Sequence, residues 1–180
     1  MIYNYNECIK KYKTNYNLLK AIQKNELYKI DNGVYSDQKN PKELEIFIKK
    51  HPNVIFTMES AFFYLGISDI IPDKYDIVTN KDATKYKDNN IHQYFMNGEI
   101  TDIGKTTIIY NDIKVPVYNE ERMLIELIRY KNKIPFDYYK EIINFYRDHI
   151  DEINIALVLD YLKVFPKRDF IERTIQMEVL

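Results

Sequence analysis

The chain has 180 residues, 46% of them apolar and 29% charged, and a net charge of −1. It holds enough apolar content to bury a core, which excludes a disordered chain, and its near-zero net charge does not by itself point to a nucleic-acid partner. One cysteine, Cys8, excludes an internal disulfide and a cysteine-built zinc site, as suits a reducing cytoplasm.

Charge is unevenly distributed. Residues 1–29 carry six Lys against two Glu, so a basic head precedes a mildly acidic body. The opening MIYNYNECIKK lacks the apolar stretch of a signal peptide, and no apolar run approaches the ~20 residues of a membrane span, so a cytoplasmic location is expected. Residues 4–13 have room for one helix, with Cys8, Ile9 and Tyr12 inward. Residues 14–37 predict a short helix running straight into a hairpin. Thr14 or Asn15 caps the helix, and Leu18, Leu19, Ile22 and Leu27 form its apolar stripe. Residues 27–30 switch to a strand, Asn32-Gly33 supplies the positive-φ residues of a primed turn, and Val34-Tyr35 returns. Gln38-Lys39-Asn40-Pro41 reads as a domain boundary.

Beyond it, residues 41–51 predict a helix with Leu44, Phe47 and Ile48 on one face, and 54–57 a short buried strand. Residues 58–65 predict a helix closed by Gly66. Strands follow at 75–79 and 91–96, separated by a polar loop, and Asn97-Gly98 turns the chain. Residues 106–110 and 113–118 form a hairpin about Asn111-Asp112. From Asn119 the pattern becomes helical. Asn119 caps a helix with Glu120 and Glu121 in its first turn and Met123, Leu124, Leu127 and Ile128 as its core stripe. Helices at 135–149, with Tyr139, Ile142, Ile143 and Tyr146 inward, then at 154–164 and 167–178, complete the chain. The order predicts an α+β protein: a small α/β head over residues 1–40, whose basic helix and hairpin read either as the recognition helix and wing of a winged helix-turn-helix or as a locally packed helix–hairpin, then a body over 41–180 with a mixed sheet (54–118) and a helical bundle (119–180).

Chemistry is sparse. Ile103-Gly104-Lys105-Thr106 resembles the end of a phosphate-binding loop, but Glu99 stands where the motif needs its first Gly, and a strand follows where a helix must open. Asp69, Asp73 and Asp76 loosely resemble a nucleotidyltransferase site, yet Ile77 and Val78 follow Asp76 where a second metal-binding carboxylate should stand. His51, His92 and His149 fit no metal spacing, and Ser60 lacks the glycines of a nucleophile elbow. No nucleophile, base and oxyanion set assembles. The expectation is a non-enzyme with no catalytic residue, cofactor, metal or small-molecule substrate.

Three stretches together resemble one family. The first is the helix and hairpin ending Asn32-Gly33-Val34-Tyr35-Ser36, the second is Met58-Glu59-Ser60-Ala61-Phe62-Phe63-Tyr64-Leu65-Gly66, and the third is Val117-Tyr118-Asn119-Glu120-Glu121-Arg122-Met123-Leu124-Ile125-Glu126-Leu127. In this order they look like the AbiEi antitoxins of bacterial type IV, AbiE-type toxin–antitoxin systems. The resemblance implies an antitoxin in a phage-defence (abortive infection) system. Such a protein counteracts a nucleotidyltransferase-like toxin and autorepresses transcription of its operon at inverted-repeat operator DNA. It places the recognition helix at about 15–24 and the wing at 27–35. Lys13, Lys20, Lys24 and Lys29 would then neutralise phosphates, with Asn15, Tyr16, Asn17, Gln23 and Asn32 near bases or sugars. Glu121 is expected near its helix start, and Arg122 is expected to reach a neighbouring carboxylate in a structural role. A full winged helix has helices before the recognition helix, and residues 1–13 supply only one, so the resemblance implies a truncated winged helix-turn-helix head whose usual first helix is lost or very short. The alternative is therefore an interaction protein that antagonises the toxin with a head that no longer binds DNA.

Overall fold

The computed structural model describes residues 1–180. It is α+β, with strands and helices in two compact units, Met1–Asn53 and Val54–Leu180. The division falls after Asn53, thirteen residues beyond the boundary predicted from the Pro-containing turn. The reason is packing: the helix that follows that turn belongs to the head.

In the first unit, β1 (Ile2–Asn4) leads into α1 (Tyr5–Tyr12), α2 (Asn15–Gln23), the hairpin β2 (Tyr28–Asp31) and β3 (Val34–Ser36), and α3 (Glu43–Lys50). The strands form an antiparallel sheet in the order β1-β3-β2. β1 was not predicted; three residues are too short to show a period. Asn4 ends it and caps α1, accepting from the Glu7 N–H while Glu7 accepts in return from the Asn4 N–H, a capping box. Only two residues, Lys13 and Thr14, separate the helices, and Lys13 takes a positive φ of 67° to turn the chain. Thr14 caps α2. Cys8, Leu18, Ala21, Leu27 and Tyr35 form the core, with Tyr3, Ile9, Tyr12 and Ile22 packed against it. The apolar stripe of α2 therefore differs from expectation at one position: Ala21 is buried and Leu19 is 52% exposed. The hairpin turn differs too. Gly33 has φ +75°, but Asn32 does not enter the left-handed region, so the turn is not the primed type. A register shift between Lys29 and Asp31 lets the strands meet across it.

α3 packs on β1 and β3. It buries Phe47 and carries two cations back into the unit, Lys49 Nζ to Glu7 at 2.6 Å and Lys50 Nζ to Asp31 at 2.7 Å.

In the second unit, β4 (Ile55–Phe56), β5 (Tyr75–Asn80), β6 (Ile91–Met96), β7 (Lys105–Tyr110) and β8 (Ile113–Tyr118) form one mixed sheet in the order β6-β5-β4-β8-β7. β7 and β8 make the expected hairpin, and here both turn residues, Asn111 and Asp112, have positive φ. β5 and β6 run parallel, although a loop without a helix joins them. Gln93 holds that loop in place: its Nε2 donates to Thr79 Oγ1 at 2.8 Å, and its Oε1 accepts from the Tyr86 N–H. α4 (Met58–Tyr64) packs on β5, and Gly66 at φ +75° follows its end. Asn97 leads into a four-residue helix, α5 (Gly98–Thr101), where only a turn was expected.

α6 (Glu120–Arg129) is the hub, packed against α4, α8 (Ile155–Leu162) and α9 (Arg168–Glu178). α7 (Phe136–Asp148) lays its Tyr146 hydroxyl on the Glu120 carbonyl at 2.9 Å. Asn119 caps α6 as predicted. Burial of α6 is wider than its predicted stripe, because every residue from Arg122 to Ile128 is buried. A helix covered on all sides has no solvated face for Arg122 and Glu126, so they must pair internally. Arg122 Nε donates to Glu126 Oε1 at 2.8 Å, and its Nη1 donates to the carbonyls of Ile100 and Ile103. Gly104 lies against this residue: a Cβ there would sit 2.4 Å from Arg122 Cβ. That contact explains the glycine of the apparent phosphate-loop fragment. No helix is long and apolar enough to cross a membrane.

Candidate functional site

Two places hold side chains that the fold leaves available. The first is the outer face of α2 with the hairpin beside it. Lys13, Asn15, Tyr16, Asn17, Lys20, Gln23, Lys24, Lys29 and Asn32 are all exposed, Tyr16 by 73%. Tyr16, Lys20, Gln23 and Lys24 follow helical spacing on the side away from Leu18 and Ala21. Asn17 is less available than expected. Its Nδ2 donates to the Tyr12 carbonyl at 3.1 Å, so the amide braces the turn between α1 and α2. Lys24 lies 4.0 Å from Glu26, both exposed, a pair that salt screens readily.

The second is a cavity of about 510 Å³ in the second unit, walled by β5, β6, the start of α4 and the approach to α7. Its position follows from register. Parallel pairing sets Asp76 opposite His92 and Val78 opposite Tyr94, so carboxyl, imidazole and phenol share one face of the sheet. Asp76 Oδ1 lies 3.0 Å from His92 Nδ1, and its Oδ2 accepts from the Glu59 N–H at 3.1 Å. The Tyr94 phenol stands near this carboxyl on the same face of the sheet. Met58, just before Glu59, has a positive φ of 44°, a costly conformation for a side chain of this kind.

Burial pushes the Asp76 carboxyl up to about 7, and the nearby Glu59 charge adds to the rise. Burial also lowers the His92 imidazole, and Lys74 lowers it further. Tyr94 is raised, first by burial and then by the Asp76 charge. The His92 and Tyr94 rings lie 4.4 Å apart, and Tyr94 meets Tyr130 edge-on at 5.2 Å. Lys74, Lys133 and Asp73 stand at the rim. No cluster of three or more His, Cys, Asp or Glu is placed to hold a metal ion.

In the sequence Asp76 lacks a second carboxylate beside it and His92 fits no metal spacing. One signal pointed to them: a lone carboxylate inside the apolar strand Tyr75–Asn80. Their meeting depends on strand direction, which periodicity does not carry. Arg122 and Glu121 stand as the resemblance implied. The first reaches a carboxylate, that of Glu126, and the second accepts from the Asn154 N–H near its helix start.

No protein-family model matches the chain, and no curated protein is significantly similar to it.

Proposed function

We propose that the protein is an AbiEi-type antitoxin whose first unit binds operator DNA through α2 and the β2–β3 hairpin. The observation that carries this reading is the chain path β1-α1-α2-β2-β3 with β1 paired to β3. That path presents the second helix of a tightly joined pair beside a hairpin, as a winged helix-turn-helix does. The exposed cations Lys13, Lys20, Lys24 and Lys29 on and around that face support it, since phosphate contacts supply most of the affinity for DNA. In this proposal the second unit opposes a nucleotidyltransferase-like toxin, and the protein is not itself an enzyme. The motifs at Met58–Gly66 and Val117–Leu127 underlie that part of the proposal.

The test is a gel-shift titration on the DNA immediately upstream of the gene at several salt concentrations. Binding should weaken steeply with salt and be lost on combining Lys20→Glu with Lys24→Glu. Absence of binding at low salt, or binding that survives the double reversal, overturns the DNA half. Rescue of growth from a co-expressed toxin by residues 54–180 alone would locate neutralisation in the second unit.

A further inference from the structure

We propose that the cavity between β5, β6 and α7 is a binding site for a nucleobase, a planar and uncharged heteroaromatic ring with N–H groups along one edge. This goes beyond the antitoxin reading and does not depend on it.

Size comes first: about 510 Å³ lies within the range of small-ligand sites and holds far more than a few waters. The walls set the shape of the ligand. Tyr94, Tyr130 and Tyr138 line the cavity, and aromatic faces favour flat, polarisable partners. Polar groups set the edge. Asp76 is buried on the lining of this space with a carboxyl that accepts from the Glu59 N–H, beside His92, whose ring is largely exposed. A carboxyl and an imidazole 3.0 Å apart beside aromatic side chains match the amide or amidine edge of a base.

Charge then excludes other ligands. Glu59 and Asp73 on the lining offset Lys74 and Lys133, so the site favours neither a polyphosphate nor an organic cation. Lys133 Nζ already lies 5.3 Å above the Tyr130 ring, which disfavours a second cation there. The groups that face Asp76 are Glu59 from α4, Lys74 beside β5, His92 and Tyr94 from β6, and Tyr138 from α7.

A nucleobase has two sources, a free nucleoside or an unstacked base on a single strand, and the test separates them. The full chain is titrated by calorimetry and saturation-transfer NMR with adenosine, guanosine, cytidine and uridine, with inorganic phosphate, and with a short single-stranded oligonucleotide. We expect saturable binding of at least one nucleoside or of the oligonucleotide, none of phosphate, and at least a tenfold loss in Asp76→Asn and in Tyr130→Leu. Oligonucleotide binding that persists in the Lys20→Glu, Lys24→Glu chain, is lost in Asp76→Asn or Tyr130→Leu, and is not matched by any nucleoside identifies a strand-borne base; a nucleoside binding identifies a free one. Tyr130→Leu keeps the test decisive if Asp76→Asn alters folding, which the melting curve of each variant reports. No binding by any nucleoside or the oligonucleotide at millimolar concentration overturns the proposal. So does binding that both folded variants leave unchanged. The nucleoside arm, and the oligonucleotide arm in the Lys20→Glu, Lys24→Glu chain, do not depend on DNA binding by the first unit.

Discussion

Arg122 and Glu126 form an ion pair with no exposed side-chain surface on either partner, 2.8 Å apart across one turn of α6. The pair is held from both sides. Arg129 Nη1 also reaches Glu126, at 2.6 Å, and the Arg122 guanidinium lies 4.4 Å from the ring centres of both Tyr118 and Phe165. Removing the cation leaves the Ile100 and Ile103 carbonyls without this donor inside the protein.

Arg122→Ala should therefore destabilise the second unit by about 3–5 kcal/mol, the usual cost of breaking a buried pair from one side. Glu126→Ala should fall in the same range. The double variant should lose less than the sum, because each single change strands the other member of the pair and the double removes both. Urea unfolding of the four chains measures this. Additive losses would mean that the two side chains do not act as a pair.

Asp76 makes stability depend on pH in a stated direction. Its folded pKa of about 7 lies above its ordinary value of 3.8, so the folded state binds the proton more tightly. Its contribution is fully present below about pH 4 and is lost as pH rises through 7, on the order of 4 kcal/mol at most. His92 acts the other way: its lowered pKa removes stability as pH falls below the ordinary 6.5. Asp76→Asn keeps an acceptor for the Glu59 N–H and removes the titrating group. It should flatten the curve between pH 4 and 7 and be the more stable form at pH 8. Thermal melts from pH 4 to 8 check this; parallel curves for the two chains would contradict it.

The head should end at Asn53. A chain of residues 1–53 keeps Phe47 and the Lys49–Glu7 and Lys50–Asp31 pairs, and should unfold cooperatively. A chain of residues 1–40 loses all three, exposes the face of β1 and β3 that α3 covers, and should show no cooperative transition. Circular dichroism melts of the two fragments decide between the boundaries.

Local chemistry was legible before the fold. Thr14 and Asn119 cap helices because a short side-chain oxygen next to a helical period is a local signal. Asn111-Asp112 turns a primed hairpin for the same kind of reason, and the inward face of α7 follows from its period alone. The α+β class and the exposed cations of α2 were likewise readable from pattern and charge. What the tertiary structure alone decided depends on partners distant in the chain. α3 joins the head because its apolar face meets β1, forty residues earlier. Arg122 and Glu126 are buried because α6 is covered on every side, which no stripe on one helix can report. Asp76 faces His92 only because β5 and β6 run parallel, so a lone carboxylate and a lone histidine became neighbours through a strand register set by backbone pairing.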